Sequence, residues 1–312
     1  MFEIRRYEPG MKAEWDDFVG ASKNGTFLFD RNYMDYHAER FADHSLMFYL
    51  KDRLYAVLPA NVRDGVMYSH QGLTYGGLIT GTAARAAAVC SLFDELNAYL
   101  RRQGVTKVVY KPVPWVYASY AAEEDLYAIV KVCRARLVAR DISSTIFLKD
   151  KIKFGELRRR CSRKARRAGV AVGRSNDFEA FWRILDDNLE NKYGVPPVHT
   201  CAELQLLAGR FPDNIRLYAA SLDERMLGGV VVYLNRRTVH TQYISASPEG
   251  KDIGALDMLF DELVNSVFAD YEYFDFGRST EDGGRYLNEN LIFQKEGFGG
   301  RGVCYDTYEW EI

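Results

Sequence analysis

Tyr271-Glu-Tyr-Phe-Asp275-Phe-Gly277-Arg278-Ser279-Thr280-Glu281, followed by Asn288-Glu-Asn-Leu-Ile-Phe293-Gln-Lys295-Glu-Gly297-Phe298-Gly299, is the stretch that decides how this chain is read. Its first part alternates aromatic and polar residues, which predicts a strand over 271–276. The strand runs into Asp, Arg, Ser and Glu. A short helical segment follows, and then a lysine set between aromatics and glycines. The carboxyl ends of strands are where α/β folds present reactive groups. Two readings fit: an acid, a cation and hydroxyls gathered for chemistry, or a structural Asp275–Arg278 ion pair with Lys295 at the surface.

Outward from this stretch, one order of elements occurs twice. In the first half, short helices are predicted at 14–19 and 31–41, and strands at 46–50, 53–62 and 66–69. A glycine-rich bend at 71–77, a helix at 83–102 and a strand at 106–110 complete it. Val89, Leu92, Leu96 and Leu100 share one stripe of that helix, and Gly104 stops it. The second half repeats the order. A helix at 178–192 carries Phe178, Phe181, Trp182, Leu185 and Leu189 on one face, and the capping box Thr200-x-x-Glu203 opens the next. Strands at 215–220, 226–235 and 238–246, a loop at 247–251, a helix at 253–268 and the strand 271–276 follow. The repeat is one of architecture rather than identity. It predicts an α/β (α+β) chain of two domains, 1–149 and 175–312, joined by a sharply basic linker helix within 150–174.

An apolar fraction of 47% supports a full core, and a net charge of −2 argues against bulk nucleic-acid binding while leaving room for a local basic patch. Aromatics reach 14%, with 21 Tyr, and these either line a site for an amphipathic ligand such as a sugar or simply pack. Five scattered cysteines without a CxxC point to a reducing compartment, without zinc or a disulfide frame. The N-terminal residues open as a charged strand rather than a leader, and no run is apolar enough to cross a bilayer. A cytoplasmic protein is expected, peripheral at the inner membrane face if its basic segment meets lipid. None of His37, His44, His70, His199 and His240 stands at metal-ligand spacing, so no metal is expected. No GxSxG, Walker A, HExxH or GxGxxG occurs, which removes the commonest hydrolase, nucleotide-hydrolysing and dehydrogenase signatures.

Three further segments carry chemistry in one reading and structure in another. From Lys151 to Arg167, nine cations face one acid, Glu156. Like charges at i, i+3 and i+4 repel, and a polyanion held by Arg158, Arg159 and Arg163 would relieve this. The candidates are coenzyme phosphates, an RNA acceptor stem, a nucleotide-sugar diphosphate or an anionic membrane face. A solvated helix docked by Leu157 and alkyl stems is the other reading. At 247–256 a strand feeds a glycine loop and a helix N-terminus. Ser247, Gly250, Lys251 and Gly254 stand where a pyrophosphate cradle needs them, or they make an ordinary turn. Gln71 and Tyr75, in the glycine-rich bend, either hold a hydroxyl-rich substrate or flank a turn that needs positive φ at Gly76 or Gly77. His240, alternating with Gln242 on its strand, is a further candidate for a substrate contact, facing a cleft.

From Phe154 onward the chain resembles the GNAT acyltransferase superfamily and, within it, the FemAB-like branch of tandem-GNAT proteins. The resemblance is carried by several blocks taken together. They are Arg163-Lys164-Ala165-Arg166-Arg167-Ala168-Gly169-Val170-x-Val172, Phe178 to Tyr193 with Pro197, Leu204 to Phe211, Ile215 to Ala220 with Gly228-Gly229, Tyr273 to Ser279 and Phe293 to Gly299. It implies two tandem GNAT-like domains, each a mixed sheet flanked by helices, with catalysis in the second and a substrate-binding or scaffolding role for the first. The implied chemistry is transfer of an acyl group to an amine. Lys295 matches the branch's Phe-x-Lys block, which implies that it stabilises the oxyanion. Asp275 is the candidate for orienting the amine or taking its proton, and Arg278 and Glu281 for binding substrate. The superfamily's Q/R-x-x-G-x-G/A loop stands here as Lys251-x-x-Gly254-x-Leu256. That departure tilts the donor away from ordinary coenzyme A and toward the FemAB branch.

The leading expectation is an N-acyltransferase moving an acyl group from acyl-CoA (acetyl-CoA) to an amine on an amino sugar or cell-envelope or polysaccharide precursor. The second is a FemAB-type transferase using aminoacyl-tRNA, with the RNA held by the basic run. The third is a non-catalytic tandem-GNAT protein that binds a glycan or a partner. A homodimer is compatible with the exposed aromatics.

Overall fold

The structure is a computed structural model. It describes residues 1–193 and 197–312, and the side chains of all of these except 37 and 190–193. The expectation for His37 therefore lies outside the described side chains. The chain forms two compact units. Unit 1 comprises Met1–Asp141, Thr280–Tyr286 and Cys304–Ile312, and unit 2 comprises Ile142–Ser279 and Leu287–Val303. These are not the domains 1–149 and 175–312 expected from composition, because C-terminal segments return to unit 1 and the basic segment belongs to unit 2.

Unit 1 contains β1 (Glu3–Arg6), α1 (Lys12–Ala21), α2 (Arg31–Met34), β2 (Leu46–Leu50), β3 (Arg53–Leu58), β4 (Asn61–Arg63), β5 (Val66–Tyr68), β6 (Ile79–Thr80), α3 (Ala86–Arg102), β7 (Lys107–Tyr110) and α4 (Glu124–Lys131). Strand β8 (Arg136–Phe147) begins in unit 1 and ends in unit 2. In unit 2 follow α5 (Glu156–Arg167), β9 (Ala171–Ser175), α6 (Phe178–Tyr193), α7 (Cys201–Arg210), β10 (Ile215–Leu222), β11 (Arg225–Leu234), β12 (Thr238–Ala246), α8 (Pro248–Ile253), α9 (Ala255–Glu262) and β13 (Tyr273–Arg278). The short strands β14 (Thr280–Glu281) and β15 (Tyr286–Leu287), helix α10 (Glu289–Gly297) and β16 (Arg301–Glu311), which ends in unit 1, complete the chain.

In unit 1, β1-β2-β3-β6 form one sheet, and β4, β5, β7 and the end of β16 pair in that order. In unit 2 the order is β8-β13-β12-β11-β10-β9. The repeat read from the sequence is visible as topology. In unit 1, β5 pairs in parallel with β7 across the crossover helix α3; in unit 2, β12 pairs in parallel with β13 across α8 and α9. A parallel pair needs such a crossover, so each strand–helix–strand run closes the same way. The stripe Val89, Leu92, Leu96 and Leu100 is fully buried in the core of unit 1.

Strand β11 is buried along nearly its whole length because both of its faces are covered. Val230, Val232 and Leu234 join Leu259 and Phe260 of α9, while a Cβ at Gly229 would lie 3.0 Å from Phe181 of α6. The capping box at Thr200 and Glu203 forms as expected. The helix expected over 253–268 does not run through. Gly254 takes the left-handed conformation at φ 86°, against the Cys161 carbonyl, and separates α8 from α9.

Helix α5 is part of this packing rather than a linker. Ser162 and Ala165 are buried toward α9, and Ser162 Oγ donates to Asp261 at 2.6 Å. Arg158, expected to bind a polyanion, instead pairs with the largely buried Asp257 at 2.9 Å and lies over the Phe298 ring. Arg159 and Arg163 converge on Glu156 at the surface. Arg158→Ala strands a buried carboxylate and is expected to cost about 2 kcal/mol of unfolding free energy. Glu156→Gln, at a solvent-screened exposed pair, is expected to leave the unfolding midpoint essentially unchanged. Urea titration followed by circular dichroism measures both, and equal effects would remove the distinction between the two pairs.

Candidate active site

The centre of unit 2 is where two parallel strands part. β12 and β13 are in register only over Thr238↔Tyr273, Val239↔Phe274 and His240↔Asp275. Beyond that point β12 bulges against β11 at Gln242, which has no partner in the register between Thr241 and Tyr243. A bulge bends its strand and re-aims the side chains beyond it. The gap that opens holds a cavity of about 320 Å³. Its walls are Leu185, Asn188 and Leu189 of α6, Ile244 to Ala246 of β12, Leu256 and Phe260 of α9, Phe276 of β13, and α10 with the adjoining Phe298. Lys251 and Lys295 bring ammonium groups to a lining that is otherwise mostly apolar. An apolar pocket with a few convergent polar groups is the usual form of a small-molecule site.

At the last paired rung, Asp275 is completely buried. Its carboxylate accepts from Ser143 Oγ, from Thr145 Oγ1 at 2.8 Å and from His240 Nδ1 at 2.7 Å. Strand alternation places Ser143 and Thr145 on one face of β8, opposite Asp275, so the neighbouring strand supplies donors that a buried carboxylate requires. With Nδ1–H donated to Asp275, a neutral His240 has its lone pair on Nε2. His240 itself is 9% exposed. Gly277 takes φ 72°, and a Cβ there would come within 3.2 Å of the His240 ring, so the backbone lies close against the imidazole.

Lys295 meets the same glycine through its carbonyl. Its Nζ donates to the Gly277 carbonyl at 2.8 Å and to the Arg278 carbonyl at 2.7 Å. An ammonium has three N–H groups, which leaves one beyond these two bonds. Burial pushes the Lys295 ammonium down to about 8, opposed by the Asp275 charge and reinforced by Arg278. The lysine read as following the helical segment lies inside α10, and its 5% exposure rules out the surface reading.

The structure thus brings together His240, Asp275 and Lys295, with Lys251 at the rim. Arg278 is exposed at the end of β13, whereas Glu281 falls in unit 1. At α8, Ser247 is the N-cap. Its hydroxyl accepts from Gly250 N–H at 3.1 Å and its carbonyl from Lys251 N–H at 2.9 Å. Gly250 is required because a Cβ would lie 2.2 Å from the Leu227 carbonyl, and Gly254 because of its left-handed turn. The glycines expected to cradle a pyrophosphate are accounted for by packing, and two of the N–H groups are used in the cap. Lys251 Nζ donates to Asn188 Oδ1. In unit 1, Tyr75 is buried beside Phe29, Tyr117 and Tyr305, and Gln71 exchanges hydrogen bonds with Asn61. For Tyr75 this replaces the expected substrate contact with core packing. Ser143 and Thr145 had not been singled out. The alternation Asp141, Ser143, Thr145 was their only signal, and it marks a polar strand face without saying what faces it.

Among the described residues, no group of His, Cys, Asp and Glu is arranged to hold a metal ion, and no helix is long and apolar enough to cross a membrane. Residues 156–286 match the family model for the acetyltransferase (GNAT) domain. A comparison with curated proteins returns no match. Among solved structures, FemX is similar at TM-score 0.69 and 11% identity, over 99% of this chain and 97% of that one. The C-terminal domain of a protein assigned as a lysylphosphatidylglycerol synthetase from Agrobacterium fabrum is similar at 0.60 and 10% identity, over 96% and 92%. A tandem GNAT protein from the clavulanic acid biosynthesis pathway is similar at 0.52 and 12% identity, over 100% and 98%. At these identities the likeness is one of fold.

Proposed function

We propose that this chain, whose residues 156–286 match the acetyltransferase (GNAT) domain model, is a FemAB-like transferase that moves an acyl or aminoacyl group to an amine in the cavity of unit 2. The acceptor in this reading is an amino sugar or an amine-bearing cell-envelope precursor. One observation carries the proposal: a buried ammonium, Lys295, lines the cavity at the parting of β12 and β13 with an N–H to spare. A carbonyl placed there becomes an oxyanion when an amine attacks it, and a preorganised donor in a low-dielectric wall stabilises that charge. The attacking nitrogen must lose a proton. His240, oriented by Asp275, is the group assigned to take it and to return it to the leaving oxygen or sulfur.

The donor has two readings. Acyl-CoA is the ordinary superfamily donor. The N–H groups committed to capping at α8 favour the second reading, an aminoacyl ester of tRNA, which needs no pyrophosphate cradle there. Radiolabelled acetyl-CoA and charged tRNA, each offered with amino sugars and amine-bearing peptidoglycan precursors, separate them. Transfer from neither donor to any acceptor overturns the proposal.

Oxyanion stabilisation needs Lys295 protonated. Its ammonium titrates at about 8, so the active form is present below that pH and lost above it. The pH profile of kcat/KM is expected to fall on an alkaline limb near 8. In Lys295→Arg, whose guanidinium stays charged, the residual activity is expected to lose that limb. An unchanged limb assigns it to another group.

A further inference from the structure

We infer that unit 2 carries a docking surface for an anionic phospholipid bilayer, formed by the outer faces of α5 and α10. A groove of about 500 Å³ lies between them, with Leu157, Phe293 and the Arg301 side chain on its walls. Phe293 is 66% exposed and Leu157 41%, and Ile152, whose carbonyl lies against Gly299 two residues beyond α10, is also exposed. Two large apolar side chains, Leu157 and Phe293, exposed together on one groove are unfavourable in water and mark an interaction site more often than scattered ones do.

What surrounds them determines the partner. Leu157, Arg160 and Lys164 fall at i, i+3 and i+7, on one stripe of α5. Arg160, Lys164 and Arg167 are exposed, and Lys151 and Lys153 precede the helix. The acids nearby are Glu156, which two arginines already hold, and on α10 Glu289 and Glu296, four residues before and three after Phe293. An apolar groove bordered on its α5 side by a stripe of exposed cations matches the boundary of an anionic bilayer, where Leu and Phe enter the acyl region and Arg and Lys meet the phosphates. A nucleic acid would use the cations but gain little from Leu157 and Ile152. Phe293 and Lys295 lie two residues apart on α10 and so on nearly opposite faces, which puts the bilayer across one helix from the cavity. Docking is independent of whether unit 2 transfers acyl groups, because it is read on the chain alone.

The test is flotation of the full chain with vesicles of phosphatidylcholine alone and of phosphatidylcholine mixed with phosphatidylglycerol, at low and high salt. Binding is expected to the mixed vesicles only and to weaken with salt. Arg160→Glu with Arg167→Glu is expected to reduce it at least roughly tenfold. Leu157→Ser with Phe293→Ser is expected to reduce it by a similar factor at unchanged net charge. All four positions are exposed, so the melting temperature should not move. Absence of flotation with the mixed vesicles overturns the proposal. So does binding indifferent to the apolar pair, and so does a duplex RNA that displaces the chain from vesicles and binds the Ser variant as well as the wild type. The last two results assign the surface to a polyanion.

Discussion

Lys295→Met is expected to lower the rate of acyl transfer by roughly 10²–10³-fold, the usual effect of removing one oxyanion donor. Methionine keeps the length and apolar stem of the side chain and removes only the ammonium. The loss should fall on kcat rather than on KM, because the contact is made with charge that develops in the transition state. The fold should tolerate the change. Depression of the ammonium from 10.5 to about 8 corresponds to about 3 kcal/mol by which burial disfavours the charged form. Removing that cost opposes the loss of two bonds to the Gly277 and Arg278 carbonyls. The two effects are of similar size, so the melting temperature should stay within about 3 °C of wild type. Linkage gives a second readout. Because the folded value lies below the unfolded one, the wild-type chain carries the full burial cost below pH 8 and sheds it as pH rises toward 10.5. Lys295→Met should lack that rise in stability. A variant with wild-type turnover removes the lysine from the mechanism.

Asp275→Ala is expected to have the largest effect on stability, about 3–5 kcal/mol. The carboxylate is completely buried and accepts from Ser143, Thr145 and His240. Alanine leaves three polar groups in a dry interior without the acceptor they share, and each costs the desolvation that its bond had offset. Against a total of roughly 5–15 kcal/mol this is a large fraction, and it should lower the melting temperature by about 10 °C. Asp275→Asn preserves volume and one acceptor oxygen, so it should cost markedly less. Its amide nitrogen, if turned toward His240, drives the imidazole to the other tautomer, with the proton on Nε2. That variant should therefore stay folded and lose the lone pair on Nε2, with nitrogen chemical shifts of His240 reporting the change of tautomer. Equal melting temperatures for Asp275→Ala and wild type would show that the buried network contributes nothing to the fold.

The duplication was legible because it is written in hydrophobic periodicity, which is local. The stripe of Val89 to Leu100 and the aromatic face of 178–189 each specify a helix without reference to any other segment. The GNAT-type fold was legible for a related reason: a few blocks near the C-terminus are constrained by one strand and one helix. The unit boundaries were not legible. Strands β8 and β16 each run from one unit to the other, and nothing in composition marks the crossing.

At the site, sequence alone placed Asp275 at a strand end and singled out Lys295, because both belong to one short segment whose polar residues interrupt an apolar pattern. It could not choose between a structural ion pair and a reactive group. Tertiary structure adds the surroundings of Asp275, since its partners come from Ser143 and Thr145, some 130 residues away, and from His240 on the adjacent strand. The same holds for the basic segment. Its charge is a property of the sequence, but which cations are spent on Asp257 and Glu156 and which remain exposed depends on the face α5 presents to α9. Periodicity is set by the backbone of each element and so is readable locally. Pairing across a sheet joins residues distant in the chain, and the desolvation that makes such a pair chemically distinctive exists only once the chain has folded.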